Sequence, residues 1–236
     1  MTNELSSETL KEYGLHAGAS VVGIADSKDF DLAPEGFKPT DALNGCRSVI
    51  VLGAPVPKEA ISKNSTIGYI DIRNAINEKM NGVAKNMAKR IKRDGYKARE
   101  ITGMGGKWVN GFQCGLISLK HAAELAGLGI IGKNYLLTNP EYCNLLWFSA
   151  VLTDAVLTHD KKSPNTFCNN CNKCVEMCPA KALDNPALFG KKVCAGTVFK
   201  KVDDKWEILC FLCRKVCLYR FGVNQDFESF LNESDN

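Results

Sequence analysis

Long hydrophobic runs are missing from this sequence. No apolar stretch reaches the ~18 residues that a bilayer span requires, and the best candidate, Leu145 to Leu157, is broken by Ser149, Thr153 and Asp154. No secretory leader is expected either, since Met1-Thr2-Asn3-Glu4-Leu5 offers neither a basic start nor an apolar segment. Charge of one sign is not in excess: 30 Lys and Arg against 26 Asp and Glu leave +4, too little by itself to draw the chain to nucleic acid. Histidine is scarce. The three present, His16, His121 and His159, stand alone with no H-x-x-x-H or H-E-x-x-H context, which excludes a His-built mononuclear metal site. The expectation is a cytoplasmic protein with no membrane partner. Its 236 residues, 45% of them hydrophobic, suffice for one large domain or two modest ones.

Cysteine is what the sequence has in abundance. Eight of its 11 cysteines fall after residue 167. A secreted disulfide scaffold would be short, leader-bearing and poor in core residues, so metal ligation in a reducing compartment is the better reading. Cys168, Cys171, Cys174 and Cys178-Pro179 follow C-x2-C-x2-C-x3-C-P. Three thiolates at that spacing wrap one iron–sulfur cube, and the fourth, after a longer gap, serves a second cube. The required second set is present as Cys194, Cys210, Cys213 and Cys217, a stretched C-x15-C-x2-C-x3-C. The eight partition into Cys168, Cys171, Cys174 and Cys217 for one 4Fe–4S cluster and Cys178, Cys194, Cys210 and Cys213 for the other. Zinc is the alternative, because paired C-x2-C elements also build four-thiolate sites. It needs neither the third C-x2-C step nor the reciprocal partner. Cys46, Cys114 and Cys143 remain, and are expected to be small buried hydrophobes.

Ahead of the cysteines, hydrophobic period sets the organisation. Val21 to Ala25 and Ser48 to Leu52 are short β-branched runs suited to buried strands. From Ile67 to Arg93, Ile76, Met80, Val83, Ala84, Met87 and Ile91 recur at three- and four-residue spacing, which predicts one long amphipathic helix stopped by Asp94-Gly95. A strand near Ala98 to Thr102, a helix from Leu116 to Leu125 and a buried strand from Leu145 to Leu152 follow. Strands alternating with helices predict an α/β layer domain. The basic residues between Lys85 and Arg99 read as a solvated helix face, and Gly103-Met104-Gly105-Gly106 lacks a full phosphate-binding fingerprint. Composition turns polar near Thr158. The boundary is set there, giving an α/β core over 1–160 and a cysteine-dense domain over 161–236 with a short polar tail at Glu228 to Asn236.

Ala126-Gly127-Leu128-Gly129-Ile130-Ile131-Gly132-Lys133-Asn134-Tyr135-Leu136-Leu137, then Leu152-Thr153-Asp154, the eight cysteines and Arg47-Ser48-Val49-Ile50 together resemble the epoxyqueuosine reductase family over about 20–222. That resemblance, shared with the related reductive dehalogenases, implies a nitroreductase-like α/β core joined to a two-cluster ferredoxin-like module. It also implies a cobalamin in the core, reduced by the clusters, with flavin as the lesser alternative. Gly129, Gly132, Lys133 and Asn134 would then form a tight loop against the cofactor. The family's Asp-Tyr-His falls on Asp71-Ile72-Arg73, keeping the acid as a candidate proton donor and losing the His. A second acidic position falls by count on Gln113, followed by Cys114, and a Gln cannot deliver a proton as a carboxylic acid does. The family's Cys-Pro-Trp is here Cys217-Leu218-Tyr219.

The expectation is therefore a shortened paralogue without the C-terminal repeats that hold tRNA. It would be an oxidoreductase fed by a ferredoxin- or flavodoxin-type donor protein, acting on a small-molecule or protein-bound substrate and not on tRNA. The competing class is a non-enzymatic electron carrier or a reductive activator of a partner protein. The large core counts against it, since a plain ferredoxin needs none.

Overall fold

A computed structural model describes residues 5–62, 67–109, 112–164, 168, 170–184, 191–202, 205–208 and 210–220. The polar tail expected at Glu228 to Asn236 lies outside them. The chain divides into two compact units. The first gathers Met1–Pro55, Asn74–Ile130 and Leu146–Pro164, and the second Val56–Arg73, Ile131–Leu145 and Asn165–Asn236.

In the first unit, helix α1 (Ser7–His16) starts on a capping box in which the Ser6 hydroxyl accepts the Thr9 N–H and the Thr9 hydroxyl accepts the Ser6 N–H. Strand β1 (Val21–Asp26) follows, then the short α2 (Pro39–Ala42) and β2 (Ser48–Pro55). Residues 56–61 and the short α3 (Glu59–Ser62) belong to the second unit. Helix α4 (Ile67–Arg93) matches the predicted span, and its Met80, Ala84, Met87 and Ile91 are fully buried in one cluster with Leu10, Ile24, Ile50, Leu52 and Val151. Each such side chain taken from water contributes about 1.5–3 kcal/mol. A Schellman turn ends the helix: the Tyr96 N–H reaches the Ile91 carbonyl, the Gly95 N–H reaches Lys92, and Gly95 sits at φ +90°. Only a residue without Cβ takes that angle cheaply.

Strands β3 (Ala98–Ile101), β4 (Lys107–Val109) and β5 (Phe112–Cys114), helix α5 (Leu119–Leu125), the two-residue β6 (Ile130–Ile131) and β7 (Leu137–Thr138), and β8 (Leu146–Thr153) complete this part of the chain. The main sheet has the order β1-β2-β8-β3, and every pairing in it is antiparallel. The layered mixed α/β arrangement is as expected, but the strands return by antiparallel register (Ile50 opposite both Ile24 and Val151) and not by parallel crossovers. The central strands β2 and β8 are buried nearly throughout, which is why both read as unbroken apolar runs. Helix α5 begins at Leu119, three residues later than its apolar pattern suggests, and ends on Gly127 at φ +72°.

The polar stretch after Thr158 is held in place. Asp160 exchanges backbone hydrogen bonds with the β1 edge, its N–H donating to the Ile24 carbonyl at 2.8 Å and its carboxylate accepting the Ile24 N–H at 2.8 Å. Lys11 pairs with the same carboxylate at 2.6 Å, and the Ser163 hydroxyl donates to the Gly127 carbonyl. The first unit thus runs to Pro164. The second unit also takes two earlier segments that carry no cysteine motif, 56–73 and 131–145. Its further elements are α6 (Lys173–Glu176), α7 (Lys191–Val198), a hairpin of β9 (Phe199–Val202) and β10 (Lys205–Ile208), and α8 (Leu212–Arg220). Among the described residues no helix is long and apolar enough to cross a membrane.

Candidate metal centre

All eight motif cysteines fall in the second unit. Cys168 and Cys171 form a turn in which the Cys171 N–H meets the Cys168 carbonyl, and Cys174 lies in α6. Cys178 follows at the end of that helix, its N–H donating to the Val175 carbonyl. The stretched gap between Cys194 and Cys210 has a structural cause: Cys194 is on α7, and the β9–β10 hairpin fills the interval. Cys213 and Cys217 stand one turn apart on α8, so 3.6 residues per turn put both on the same face. Leu183 and Val216 are buried with Cys174, and Tyr135, Val175, Met177 and Leu212 pack on them and keep water from the thiols.

The electrostatics sort the thiols. Burial first, then the charges of Cys143, Cys174, Cys168 and Cys171, push Cys217 far above the ordinary thiol range. Burial pushes Cys174 up to about 11, with Cys168 and Cys171 adding to it. Cys194 is raised by burial and then by Cys178 and Cys210. Burial, opposed by Arg214 and assisted by Cys210, Cys194 and Cys174, holds Cys213 up at about 12. Cys217 thus answers to the first three motif cysteines despite its distance along the chain, while Cys194 answers to Cys178 and Cys210. Thiols so placed keep their protons at neutral pH unless a metal replaces them.

Among the described residues no three Cys, His, Asp or Glu side chains stand close enough to hold a single metal ion. Tetrahedral zinc at 2.3 Å would bring its sulfurs to about 3.8 Å of one another.

Three of the four residues expected to line a cofactor loop lie beside motif cysteines. The Lys133 N–H donates to Cys168 Sγ at 3.4 Å, and Lys133 Nζ reaches Asn172 Oδ1 at 2.7 Å. Asn134 is buried, turns the loop by accepting the Leu136 N–H, and donates from Nδ2 to the Cys213 carbonyl at 3.4 Å. A Cβ on Gly132 would stand 2.8 Å from Thr138 Oγ1 and 3.5 Å from Cys168 Sγ. Gly129, the fourth, belongs to the first unit and leads into β6. The second unit thus also draws on residues ahead of the cysteine-dense segment.

The proposed catalytic positions fall in both units. Asp71 is exposed on α4, at its fifth residue. Gln113 is the middle residue of β5, opposite Trp108, and its side chain lies outside the described residues; Cys114 is half-buried opposite Lys107. Asp71 is part of the second unit, and Gln113 and Cys114 are part of the first. Cys46 is the expected buried hydrophobe, with its thiol against the Ser48 carbonyl.

Asn144 carries no motif and was not foreseen. It is 1% exposed, donates from Nδ2 to the Cys213 carbonyl at 3.2 Å, and gives its own carbonyl to the Arg214 guanidinium. No spacing rule would have found it, because a single buried Asn leaves no periodic signal.

No protein-family model matches the chain. In sequence it is similar to the epoxyqueuosine reductase of Lactococcus garvieae, 25% identical over 215 residues, covering 82% of this chain and 57% of that protein. In fold it is similar to an epoxyqueuosine reductase solved with an epoxyqueuosine-modified tRNA-Tyr stem loop, with a TM-score of 0.63 and 20% identity over 92% of this chain and 66% of that one. It is also similar to a reductive dehalogenase whose structure suggests a mechanism for B12-dependent dehalogenation, with a TM-score of 0.58 and 21% identity over 91% and 29% of the two chains. The chain spans a little over half the length of the curated relative it matches.

Proposed function

We propose, starting from a chain related to the epoxyqueuosine reductases and built on their fold, that it is an iron–sulfur reductase. Its second unit would act as a two-cluster ferredoxin-like module feeding electrons to an acceptor held by the α/β core. The observation that carries this reading is the sorting of the thiols, with Cys217 joined electrostatically to Cys168, Cys171 and Cys174, and Cys194 to Cys178 and Cys210. That is the crossed ligation that two reciprocal motifs demand. Cys168, Cys171, Cys174 and Cys217 would hold one 4Fe–4S cluster, and Cys178, Cys194, Cys210 and Cys213 the other. When bound, such clusters supply single electrons at potentials anywhere within about −700 to +450 mV.

The chain's own residues set the conditions for that transfer. The Lys133 N–H stabilises negative charge on Cys168 Sγ. Asn134 and Asn144 converge on the Cys213 carbonyl and fix the first turn of α8, which sets the direction of Cys213 and Cys217. The buried Lys215 sets its Nζ 5.1 Å from the Phe211 ring centroid, and the guanidinium of Arg214 opposes the effect of burial on Cys213.

A corrinoid is supported by kinship. The residues expected to cradle it, Gly132, Lys133 and Asn134, lie beside Cys168 and Cys213, and no step is routed through it. The substrate we infer is other than tRNA, on the strength of Arg73 and Gln113 standing where the family pattern has a His and an acid. An electron-donor protein of ferredoxin or flavodoxin type completes the reading.

Anaerobic purification should yield about eight iron and eight sulfide per chain. Roughly one zinc without acid-labile sulfide would overturn the reading. Cys171→Ser and Cys194→Ser should each remove a different cluster, told apart by the electron paramagnetic resonance of the one that survives.

A further inference from the structure

In the first unit, α4 packs through Met80 and Ala84 into the apolar cluster that holds Val151 of β8, but a polar strip of Asn77, Asn81 and Ser149 runs beside them. Asn81 is satisfied there: its Oδ1 accepts the Ser149 hydroxyl at 2.6 Å and the Gly103 N–H at 3.0 Å. Asn77 lies one turn earlier on the same face of the helix. It is 2% exposed, and among the described residues neither its Oδ1 nor its Nδ2 has a hydrogen-bond partner. An amide so placed has given up water and gained nothing in return, which folded chains tolerate chiefly where another group completes the bonds. The chain against Asn77 is a glycine loop. A Cβ on Gly103 would stand 2.3 Å from Asn77 Oδ1 and 2.7 Å from the Phe148 carbonyl, so only glycine lets the backbone come this close. Its neighbours Thr102 and Met104 are exposed, which leaves the Asn77 amide one thickness of chain from solvent. Gly105 and Gly106 follow at φ +119° and +121°, a region open to glycine, so the loop can refold around an entering group at little steric cost.

We propose that Asn77 is the recognition residue of a ligand site in the α/β core, one that takes a group presenting an N–H donor beside a C=O acceptor: a primary carboxamide or a cyclic imide. The assignment rests on the function proposed above, in which the core holds an electron acceptor. An amide is the complement of an amide. Asn77 Nδ2 donates to the ligand carbonyl and Oδ1 accepts the ligand N–H, so both unpaired atoms are satisfied together. A carboxylate or phosphate fits worse, because an acceptor-only group leaves Oδ1 without a donor. Both acceptor classes named for this core carry the required edge, a corrinoid in its peripheral carboxamides and a flavin in its imide. The orphaned amide therefore fits either, and binding makes and breaks hydrogen bonds only.

The test is equilibrium dialysis of the anaerobically prepared full chain against hydroxocobalamin and against FMN. Each is paired with a blocked analogue that keeps the ring and lacks the N–H, heptamethyl cobyrinate for the first and N3-methyl FMN for the second. The parent should bind one of the two amide-bearing ligands, which identifies the source, and should bind its blocked analogue about tenfold more weakly. Asn77→Leu should bind the amide-bearing ligand about tenfold more weakly than the parent does and no longer distinguish it from the analogue. Asn77→Ala adds no atoms against Gly103 and should show the same loss, so it decides the matter if circular dichroism finds the leucine variant unfolded. Three results overturn the assignment: a parent that binds neither ligand, a parent that binds the blocked analogue as tightly, or variants that keep the parent's affinity and discrimination. The last is the outcome if Asn77 holds a buried water only. Iron and sulfide measured on the same samples decide the functional reading separately, because a parent without clusters overturns that reading whatever the dialysis gives.

Discussion

Adding one methyl group at Gly132 should lower the midpoint potential of one cluster and leave the other unchanged. The added Cβ in Gly132→Ala would meet Thr138 Oγ1 at 2.8 Å and Asn134 Oδ1 at 3.2 Å, both tighter than ordinary contact. Thr138 can rotate, but Asn134 Oδ1 holds the Leu136 N–H at 3.1 Å, so the turn itself must shift. The peptide N–H of Lys133 is the next group along, and its 3.4 Å contact with Cys168 Sγ lengthens with it. Such a hydrogen bond contributes about 1 kcal/mol, and it favours the reduced, more negative cluster. With 59 mV per tenfold for a one-electron couple, its loss lowers the potential by about 40 mV. Overpacking also costs about 1–3 kcal/mol of stability. A redox titration followed by electron paramagnetic resonance reads the two clusters separately. Equal shifts in both, or none in either, would refute the reasoning, and loss of corrinoid binding with both clusters untouched would return the loop to its expected cofactor role.

Met87→Ala removes a fully buried side chain from the cluster that α4 makes with β2 and β8, and should cost about 2–5 kcal/mol in thermal or urea unfolding; a cost below about 1 kcal/mol would mean that the helix packs elsewhere. Cys46 gives a pH signature. Burial raises its thiol from 9.0 to about 11, so its contribution is fully present below pH 9 and is lost as pH rises toward 11, where the unfolded thiol ionises first. Between pH 8 and 10.5 the parent should lose about 2 kcal/mol relative to Cys46→Ala in urea unfolding, and parallel pH curves would contradict the burial. Asn144→Ala removes one of the two side-chain donors to the Cys213 carbonyl and should cost about 1–3 kcal/mol, read as faster loss of iron to a chelator; unchanged iron release would remove Asn144 from the centre.

Much of the first unit could be read from period alone, because buried strands and an amphipathic helix repeat at 2.0 and 3.6 residues. The spans Val21–Asp26, Ile67–Arg93 and Leu146–Thr153 stand within a residue or two of where the apolar pattern puts them. Strand order was not legible. Setting β8 between β2 and β3 requires side chains far apart in sequence to meet, and no local window records that. Cysteine spacing marked the candidate metal centre because thiolate chemistry leaves few other uses for eight such residues. The partner of Cys168 stayed hidden for the opposite reason: a backbone N–H is the same in every residue but proline, so Lys133 announces nothing by its identity.

The assembly of the second unit from three separated stretches makes the cysteine-rich segment a poor cassette. A polypeptide beginning at Asn165 would carry all eight motif thiols, yet leave behind the Lys133 amide and the Asn134 and Asn144 donors. Grafted onto another protein, it would import the thiols without the dipoles that set their charge. Biosynthetic timing follows the same logic. The loop is made before the first motif cysteine and Cys217 comes last of the eight, so metal loading closes a ring of chain that is complete only once most of the protein has been translated.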